Sequence, residues 1–385
     1  METYKIFGDR EHSLIEMTLG DLLDKVAEVY PDNDCVVCND KPFRKTYKEF
    51  KEECDTTAKG LMALGVEKGS HVAIWATNYP EWIVLMFASA KIGATLVTVN
   101  TNYKVFEAEY LLKQSDTDTL VMMDGLKDTN YSEIINELCP ELKDSKPGRM
   151  DCENLPYLKR VIYLDAKENM PRGMLHWSEL RELAASVSDE ALRARQASVN
   201  CHDVVNMQYT SGTTGFPKGV MLTHYNILNN GKCIGDNQVL TYRDRVCLPV
   251  PFFHCFGCVL GIMACITHGS TIVPVERYHP VRVMHTIQAE RCTATYGVPT
   301  MYIAMLEHPD FSKYDFSSLR TGIMSGSPCP VKVMEQVVNL MHMTEITIPY
   351  GLTETSPVCT MTNVSDSNYL ITKVSEITRV TGILP

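Results

Sequence analysis

Two hydrophobic rhythms alternate along the first hundred residues. Thr46-Tyr47-Lys48-Glu49 has the form of a capping box, in which a hydroxyl and a carboxylate three residues apart satisfy the free N–H groups of a helix start. The helix it opens is expected to stop at Gly65, where glycine can take the left-handed turn that ends a helix. Residues 71–76 read as a short strand, 82–92 as a helix and 95–99 as an apolar strand. Such alternation predicts βαβ units around a largely parallel sheet, an α/β fold. Residues 144–154 are polar, contain Pro147 and Gly148, and read as a surface loop.

The rhythm returns in the second half. Residues 293–296 predict a strand running into Gly297-Val298-Pro299-Thr300, and 319–324 a strand running into Ser325-Gly326-Ser327-Pro328. A helix from about Val331 follows, then a strand at 345–349 that leads into Tyr350-Gly351-Leu352-Thr353-Glu354. Three glycine-containing loops therefore follow three strand ends, the place where open α/β sheets bind ligands.

Between 246 and 275 the chain carries no Asp, Glu, Lys or Arg. Pro249, Pro251, Pro274, His254 and His268 break that run, and its continuous helical part, 255–266, has the length of a buried core helix rather than a membrane span.

Composition narrows the picture. At 385 residues, 45% hydrophobic and 22% charged, the chain is globular and long enough for two or three subdomains. A net charge of −11 speaks against nucleic acid as a partner, though a local loop can still bind a phosphate. The first ten residues are polar and lack the apolar core of a secretory signal, so the fourteen cysteines are expected to be reduced thiols of a cytoplasmic protein rather than a disulfide framework. Cys35/Cys38 and Cys255/Cys258 have the spacing of zinc ligands, but each pair lies in apolar surroundings without a partner pair and reads as small buried hydrophobes.

The densest chemistry lies at Tyr209-Thr210-Ser211-Gly212-Thr213-Thr214-Gly215-Phe216-Pro217-Lys218-Gly219, flanked by strand-like residues 204–209 and 220–223. Glycines let backbone N–H groups converge on an anion, hydroxyls add neutral donors, and Lys218 adds a mobile positive charge. A flexible Ser/Thr/Gly surface loop is the bland alternative. The spacing is not that of a P-loop, which needs G-x-x-x-x-G-K-[ST] opening a helix.

This loop resembles the phosphate-binding signature of the adenylate-forming superfamily, which includes acyl-CoA synthetases, luciferases and peptide-synthetase adenylation domains. Pro251-Phe252-Phe253-His254-Cys255-Phe256-Gly257, Tyr296-Gly297-Val298-Pro299-Thr300, Ser325-Gly326-Ser327-Pro328 and Tyr350-Gly351-Leu352-Thr353-Glu354-Thr355 resemble its later motifs in order and separation. Asn78-Tyr79-Pro80-Glu81-Trp82 and Val99-Asn100-Thr101-Asn102-Tyr103 are similar to the fatty acyl-CoA synthetase branch, closest to its medium-chain members. The resemblance implies two packed αβαβα-type subdomains, approximately 1–200 and 201–362, with residues 363–385 beginning an incomplete β-barrel. It also implies roles. Thr210, Ser211, Gly212, Thr213, Thr214, Gly215 and Lys218 would bind the ATP phosphates. Tyr350 and Gly351 would face the adenine, with Ser325, Gly326, Ser327 and Pro328 on its other side. Thr353 would contact the α-phosphate and Glu354 would hold Mg²⁺, for which one carboxylate beside phosphates is adequate. His254, Tyr296, Gly297 and Val298 would border the acyl group, and Lys218, His254, Thr353 and Glu354 would carry the chemistry.

The implied reaction is ATP-dependent activation of a fatty acid to an acyl-adenylate and then to acyl-CoA, with ATP, Mg²⁺ and CoA required. The family pattern continues past this chain with the rest of the barrel, a ribose-binding Asp, a hinge and a mobile C-terminal domain carrying a lysine. Arg379-Val380-Thr381-Gly382 resembles the start of that continuation, without the expected arginine after the glycine. The chain is therefore expected to be a shortened form with weak turnover or none. A non-catalytic nucleotide- or acyl-binding fragment is the rival reading. An adenylating enzyme for another acid is a third, disfavoured because no Asp placed to select an amino group is evident. Acyl chain length and oligomeric state, a homo-oligomer included, stay open.

Overall fold

The structure, a computed structural model, describes residues 13–210 and 215–366. In chain order, β1 (Asp34–Cys38) and β2 (Phe43–Thr46) form a hairpin, and β3 (His71–Trp75), β4 (Thr95–Thr98) and β5 (Thr119–Met122) follow. After the small hairpin of β6 (Gly125–Leu126) and β7 (Thr129–Asn130) come β8 (Arg160–Tyr163), β9 (Leu175–His176), β10 (Val204–Thr210) and β11 (Lys218–Thr223). The remaining strands are β12 (Arg245–Leu248), β13 (Thr271–Pro274), β14 (Ala294–Gly297), β15 (Thr321–Met324), β16 (Glu345–Thr347), β17 (Pro349–Gly351) and β18 (Val358–Met361).

Two seven-stranded sheets result. One runs β16-β15-β14-β12-β13-β1-β2 and the other β11-β10-β4-β3-β5-β8-β9. Each is parallel except for one antiparallel edge strand, β2 pairing with β1 and β11 pairing with β10. The interior strands β3, β4, β5 and β8 read as unbroken apolar or Thr-rich runs because helices cover both faces of a parallel sheet. The edges β2 and β11 are more open to water.

The chain divides into two compact units that are discontinuous in sequence. The first comprises Lys25–Lys48 and the chain from Ile227 on; the second comprises Glu16–Asp24 and Glu49–Asn226. The hairpin β1–β2 belongs to the first because Val36 pairs in parallel with Ile272, far along the chain. The hairpin β10–β11 belongs to the second because β10 pairs with β4, so that unit runs past residue 200 to Asn226.

Helices start where the chain supplies a proline with a preset φ and no N–H to leave unpaired. Pro80, Pro280 and Pro299 each stand in the first turn of such a helix. Helix Pro80–Ile92 buries every residue but Glu81, and Gly93 ends it in the left-handed conformation. In the first unit, Val273, Met284, Ile287, Tyr302, Met324, Val333 and Val337 form one apolar cluster. The Tyr302 hydroxyl lies 2.9 Å from the Thr295 carbonyl and 3.0 Å from that of Ile323, locking its helix onto β14 and β15.

The charge-free run is buried except at Pro251, Phe253 and His254. It forms a π-helix at Phe256–Met263 and an α-helix at Ala264–His268 rather than one regular helix. Among the described residues no helix is long and apolar enough to cross a membrane.

One expectation needs correction. Cys139 and Cys152 form a disulfide, and the other twelve cysteines are thiols. Helix Tyr131–Leu138 ends at Cys139, and the following segment folds back so that the two Cα atoms lie 5.6 Å apart. The loop expected at 144–154 is accordingly anchored, with Met150 and Cys152 buried. The residues expected to begin a barrel, 363–385, lie outside the described residues from 367 on.

Candidate active site

In the second unit, β10 and β11 pair antiparallel up to Thr210 opposite Lys218. The second strand thus starts two residues earlier than its apolar pattern indicates, and Lys218 is a strand residue with an exposed side chain. Ser211, Gly212, Thr213 and Thr214 lie outside the described residues. Beyond them Gly215 has φ +106°, a conformation that favours glycine. The return limb is clamped by aromatics. The Phe216 ring stacks on Tyr110 with centroids 5.0 Å apart, and the Tyr110 hydroxyl donates to the Pro217 carbonyl at 3.2 Å. This fixes where Lys218 leaves the loop.

In the first unit the other motifs gather at the carboxyl edge of the sheet. The segment after β12 carries His254 at the mouth of the π-helix. Gly257 there is obligatory, since a Cβ would stand 2.3 Å from the Pro251 carbonyl oxygen. The His254 Nδ1 accepts from the Phe256 N–H at 3.1 Å. Its ring is reached by solvent, yet the surrounding protein mass desolvates the charged form and holds the imidazole below its ordinary pKa.

The loop after β14 holds Gly297 and Val298, and the loop after β15 holds Ser325 to Pro328. The Ser325 N–H donates to the Gly297 carbonyl at 3.2 Å, and the Ser325 hydroxyl donates to the Pro349 carbonyl at 3.0 Å. One serine thus ties three motifs together. Gly326, at φ +86° and with Val298 Cγ1 3.0 Å from where a Cβ would be, lets that loop fold over its neighbour. Tyr296 is buried, its ring stacked on Phe256 at 6.3 Å between centroids and its hydroxyl bonded to Gln238. It therefore presents a wall rather than a free hydroxyl.

Tyr350 and Gly351, expected in a loop, form β17 in a hairpin with β18. The half-buried Thr353 and the exposed Glu354 sit on the turn between these strands. The Thr355 hydroxyl donates to the Pro357 carbonyl at 2.6 Å. Sequence reasoning did not single out Asn230, and it read Cys255 as a small buried hydrophobe rather than as a contact of this turn. Asn230 makes two hydrogen bonds to the backbone of Val358, at 2.9 and 3.1 Å, and the Cys255 sulfur lies 3.7 Å from the Thr353 hydroxyl. Neither contact is readable locally, because each reaches chain about a hundred or more positions away.

The opposite, amino edge of this sheet is charged and self-satisfied. Arg245, which opens β12, pairs with Asp34, which opens β1, at 3.0 Å. Arg320 pairs with Asp244 at 3.0 Å and with Glu345 at 2.5 Å. The two edges therefore differ in kind, with paired ions at one and hydroxyls, an imidazole and glycines at the other.

The chain is similar to known proteins in sequence and in fold. The sequence pattern described as AMP-binding enzyme matches residues 23–381. A Bacillus subtilis protein named as an acyl-CoA synthetase is 54% identical over 354 residues, 92% of this chain and 64% of its own length. A mitochondrial medium-chain acyl-CoA ligase of Danio rerio is 38% identical over 361 residues, 93% of this chain and 59% of its own. The chain thus spans 59–64% of the length of these curated relatives. A long-chain-fatty-acid-CoA ligase from Archaeoglobus fulgidus superposes with a TM-score of 0.76 at 23% identity, over 93% of this chain and 68% of that one. An anthranilate CoA ligase in complex with anthranoyl-AMP superposes with a TM-score of 0.75 at 22% identity, over 91% and 62%. At those identities the likeness establishes the fold.

Proposed function

The chain belongs to the family of AMP-binding enzymes, and we propose that it joins a carboxylic acid to AMP at the cost of ATP and passes the acyl group to CoA, with a medium-chain fatty acid as the acid. The observation that supports this most is the meeting of four separated motifs at one sheet edge, with Ser325 bonded to both Gly297 and Pro349 and Cys255 beside Thr353.

The roles follow from exposure and chemistry. Lys218, exposed beside Gly215 and Thr210, offers its ammonium to the polyphosphate, and the hydroxyls of 211–214 are assigned there with it. Tyr350 faces the adenine with its half-buried ring, and Ser325 to Pro328 border the other side. Thr353 donates its hydroxyl to the α-phosphate. Glu354 is exposed, and among the described residues no group of three or more His, Cys, Asp or Glu is placed to hold a metal. That suits Mg²⁺ carried mainly by phosphate oxygens with one carboxylate, where it supplies charge neutralisation. His254, with Gly297, Val298 and the Tyr296 ring, borders the acyl group.

The carboxylate of the acid attacks the α-phosphorus in line. A phosphorus–oxygen bond forms to the acid, the bond to the bridging oxygen breaks, and pyrophosphate leaves with that electron pair. The protein's part is positioning and charge stabilisation rather than covalent chemistry.

ATP–pyrophosphate exchange on this chain with Mg²⁺ and acids from butanoic to hexadecanoic tests the reading. Exchange with an optimum among medium-chain acids is the expected result. Silence in folded protein that still binds Mg²⁺-ATP moves the function to a nucleotide-binding module. Silence without ATP binding removes the proposal.

A further inference from the structure

The loop that carries His254 and the turn that carries Thr353 are joined by a residue to which no role has been given. Cys255 is 4% exposed, and its sulfur lies 3.6 Å from His254 Nδ1 and 3.7 Å from Thr353 Oγ1. The Phe256 N–H already donates to that same Nδ1 at 3.1 Å, so Nδ1 is an acceptor and the proton of the neutral ring belongs on Nε2. A thiol facing an acceptor on one side gives its hydrogen there and accepts from the hydroxyl on the other. The order is then Thr353 O–H to Cys255 sulfur, and Cys255 S–H to His254 Nδ1, whose lone pair it shares with the Phe256 N–H. Burial, the largest influence on this thiol, pushes it up to about 11, which keeps the hydrogen on sulfur at neutral pH.

We propose that Cys255 is a positioning residue that sets the Thr353 hydroxyl and the His254 ring together through one hydrogen-bonded chain. It rests on the acid-activation reading for its functional meaning, though the coupling itself is a property of the folded chain. A cysteine suits the place because sulfur reaches both partners at 3.6–3.7 Å, spans that a serine oxygen on a shorter bond covers less well. The chain also leaves Nε2–H as the free donor of the His254 ring.

The test uses the full chain and two variants, Cys255→Ala and Cys255→Ser. Cys265→Ala, a fully buried cysteine farther along the same helical segment, serves as the control for simple loss of packing. Hydrogen exchange of the amides at 353–356 and the ring nitrogen resonances of His254 are measured in each. In Cys255→Ala the turn amides are expected to exchange about fivefold to tenfold faster, as for the loss of one hydrogen bond. The His254 Nδ1 resonance should also shift with the loss of the sulfur contact, while the Nε2–H tautomer is kept by the Phe256 N–H. Cys255→Ser, which keeps a donor and an acceptor, should recover part of both changes. Cys265→Ala should move neither.

Unchanged exchange at 353–356 in Cys255→Ala overturns the proposal, as does an equal change in Cys265→Ala. In pyrophosphate exchange, Cys255→Ala should raise KM for Mg²⁺-ATP and lower kcat, with partial rescue by serine. Should the unsubstituted chain show no exchange with any acid, the acid-activation reading falls, while the amide and imidazole measurements still decide the coupling.

Discussion

Asn230 gives the most direct way to separate the architecture of the β17–β18 hairpin from the chemistry proposed for it. It stands in helix His224–Asn237, and its amide grips Val358, the first residue of β18, donating to the carbonyl at 2.9 Å and accepting from the N–H at 3.1 Å. Asn230→Ala removes both bonds. At about 1 kcal/mol net for each, the hairpin loses about 2 kcal/mol of local stability. Val358 is half-buried, so water reaches part of the freed backbone and the larger cost of a sealed orphan group does not apply. Alanine returns roughly 0.5 kcal/mol as the better helix former, but to the helix rather than to the hairpin. Opening of β17–β18 should therefore become about 30-fold more frequent, the factor that corresponds to about 2 kcal/mol. Native-state hydrogen exchange reads this directly, with residues 349–361 compared against the sheet amides of β12 to β15 in the same sample. Asn230→Asp, which keeps the acceptor and loses the donor, should fall between. Exchange at 349–361 within about threefold of the unsubstituted protein, or a uniform acceleration across the whole sheet, would refute the idea that this one side chain holds the hairpin.

Lys218→Met should leave the melting transition within the change expected of an exposed site, about 0.5 kcal/mol, while pyrophosphate exchange falls by roughly 10²-fold or more; equal exchange would remove Lys218 from the reaction. His224 is fully buried, with Nδ1 accepting from the Leu19 N–H at 3.0 Å, and burial depresses its pKa to about 4. Because the folded value lies below the ordinary one of about 6.5, the unfolded chain takes up a proton first, and stability is lost as pH falls through that window, by up to about 3 kcal/mol. His224→Asn keeps an acceptor without the titration, so its urea stability should fall less between neutral pH and mild acid, and parallel curves would contradict the argument. Unfolded without reductant, the protein should titrate twelve thiols; replacing Cys139 and Cys152 by serine should cost about 3 kcal/mol, the loss expected for a short cross-linked loop, and a count of fourteen would deny the disulfide.

Much of the fold was legible because parallel strands buried on both faces leave unbroken apolar runs between glycines and prolines. The strand expected at 95–99 is β4, and the helix expected at 82–92 begins two residues earlier at the proline that sets its φ. The illegible parts depend on distant partners. Residues 358–361 alternate weakly and stay largely open to water, so nothing local marks them as the partner that turns Tyr350 and Gly351 from loop into strand. Lys218 and Gly219 carry no strand pattern and join β11 because Thr210 and Tyr209 stand opposite. The pairing of β1 with β13 and the closure of Cys139 on Cys152 are likewise products of topology. The bracing contacts of Asn230 with Val358 and of Cys255 with Thr353 were illegible for the same reason.

The first unit's sheet explains how an acidic chain can still be suited to a polyanion. Acidic and basic residues pair at its amino edge, Asp34 with Arg245, and Asp244 and Glu345 with Arg320. The carboxyl edge carries hydroxyls, the His254 imidazole, backbone N–H groups and the solvent-facing Glu354, together with the Glu276–Arg277 pair after β13. Helices Pro280–Ala289, Pro299–Leu306 and Val331–Leu340 follow β13, β14 and β15, so three amino termini gather on that side. Each brings the partial positive charge of its unpaired N–H groups, which favours an anion by a few tenths to about 1 kcal/mol. A phosphate at this edge would meet fixed dipoles as well as charged side chains, and dipoles already held in place need no reorganisation when charge shifts.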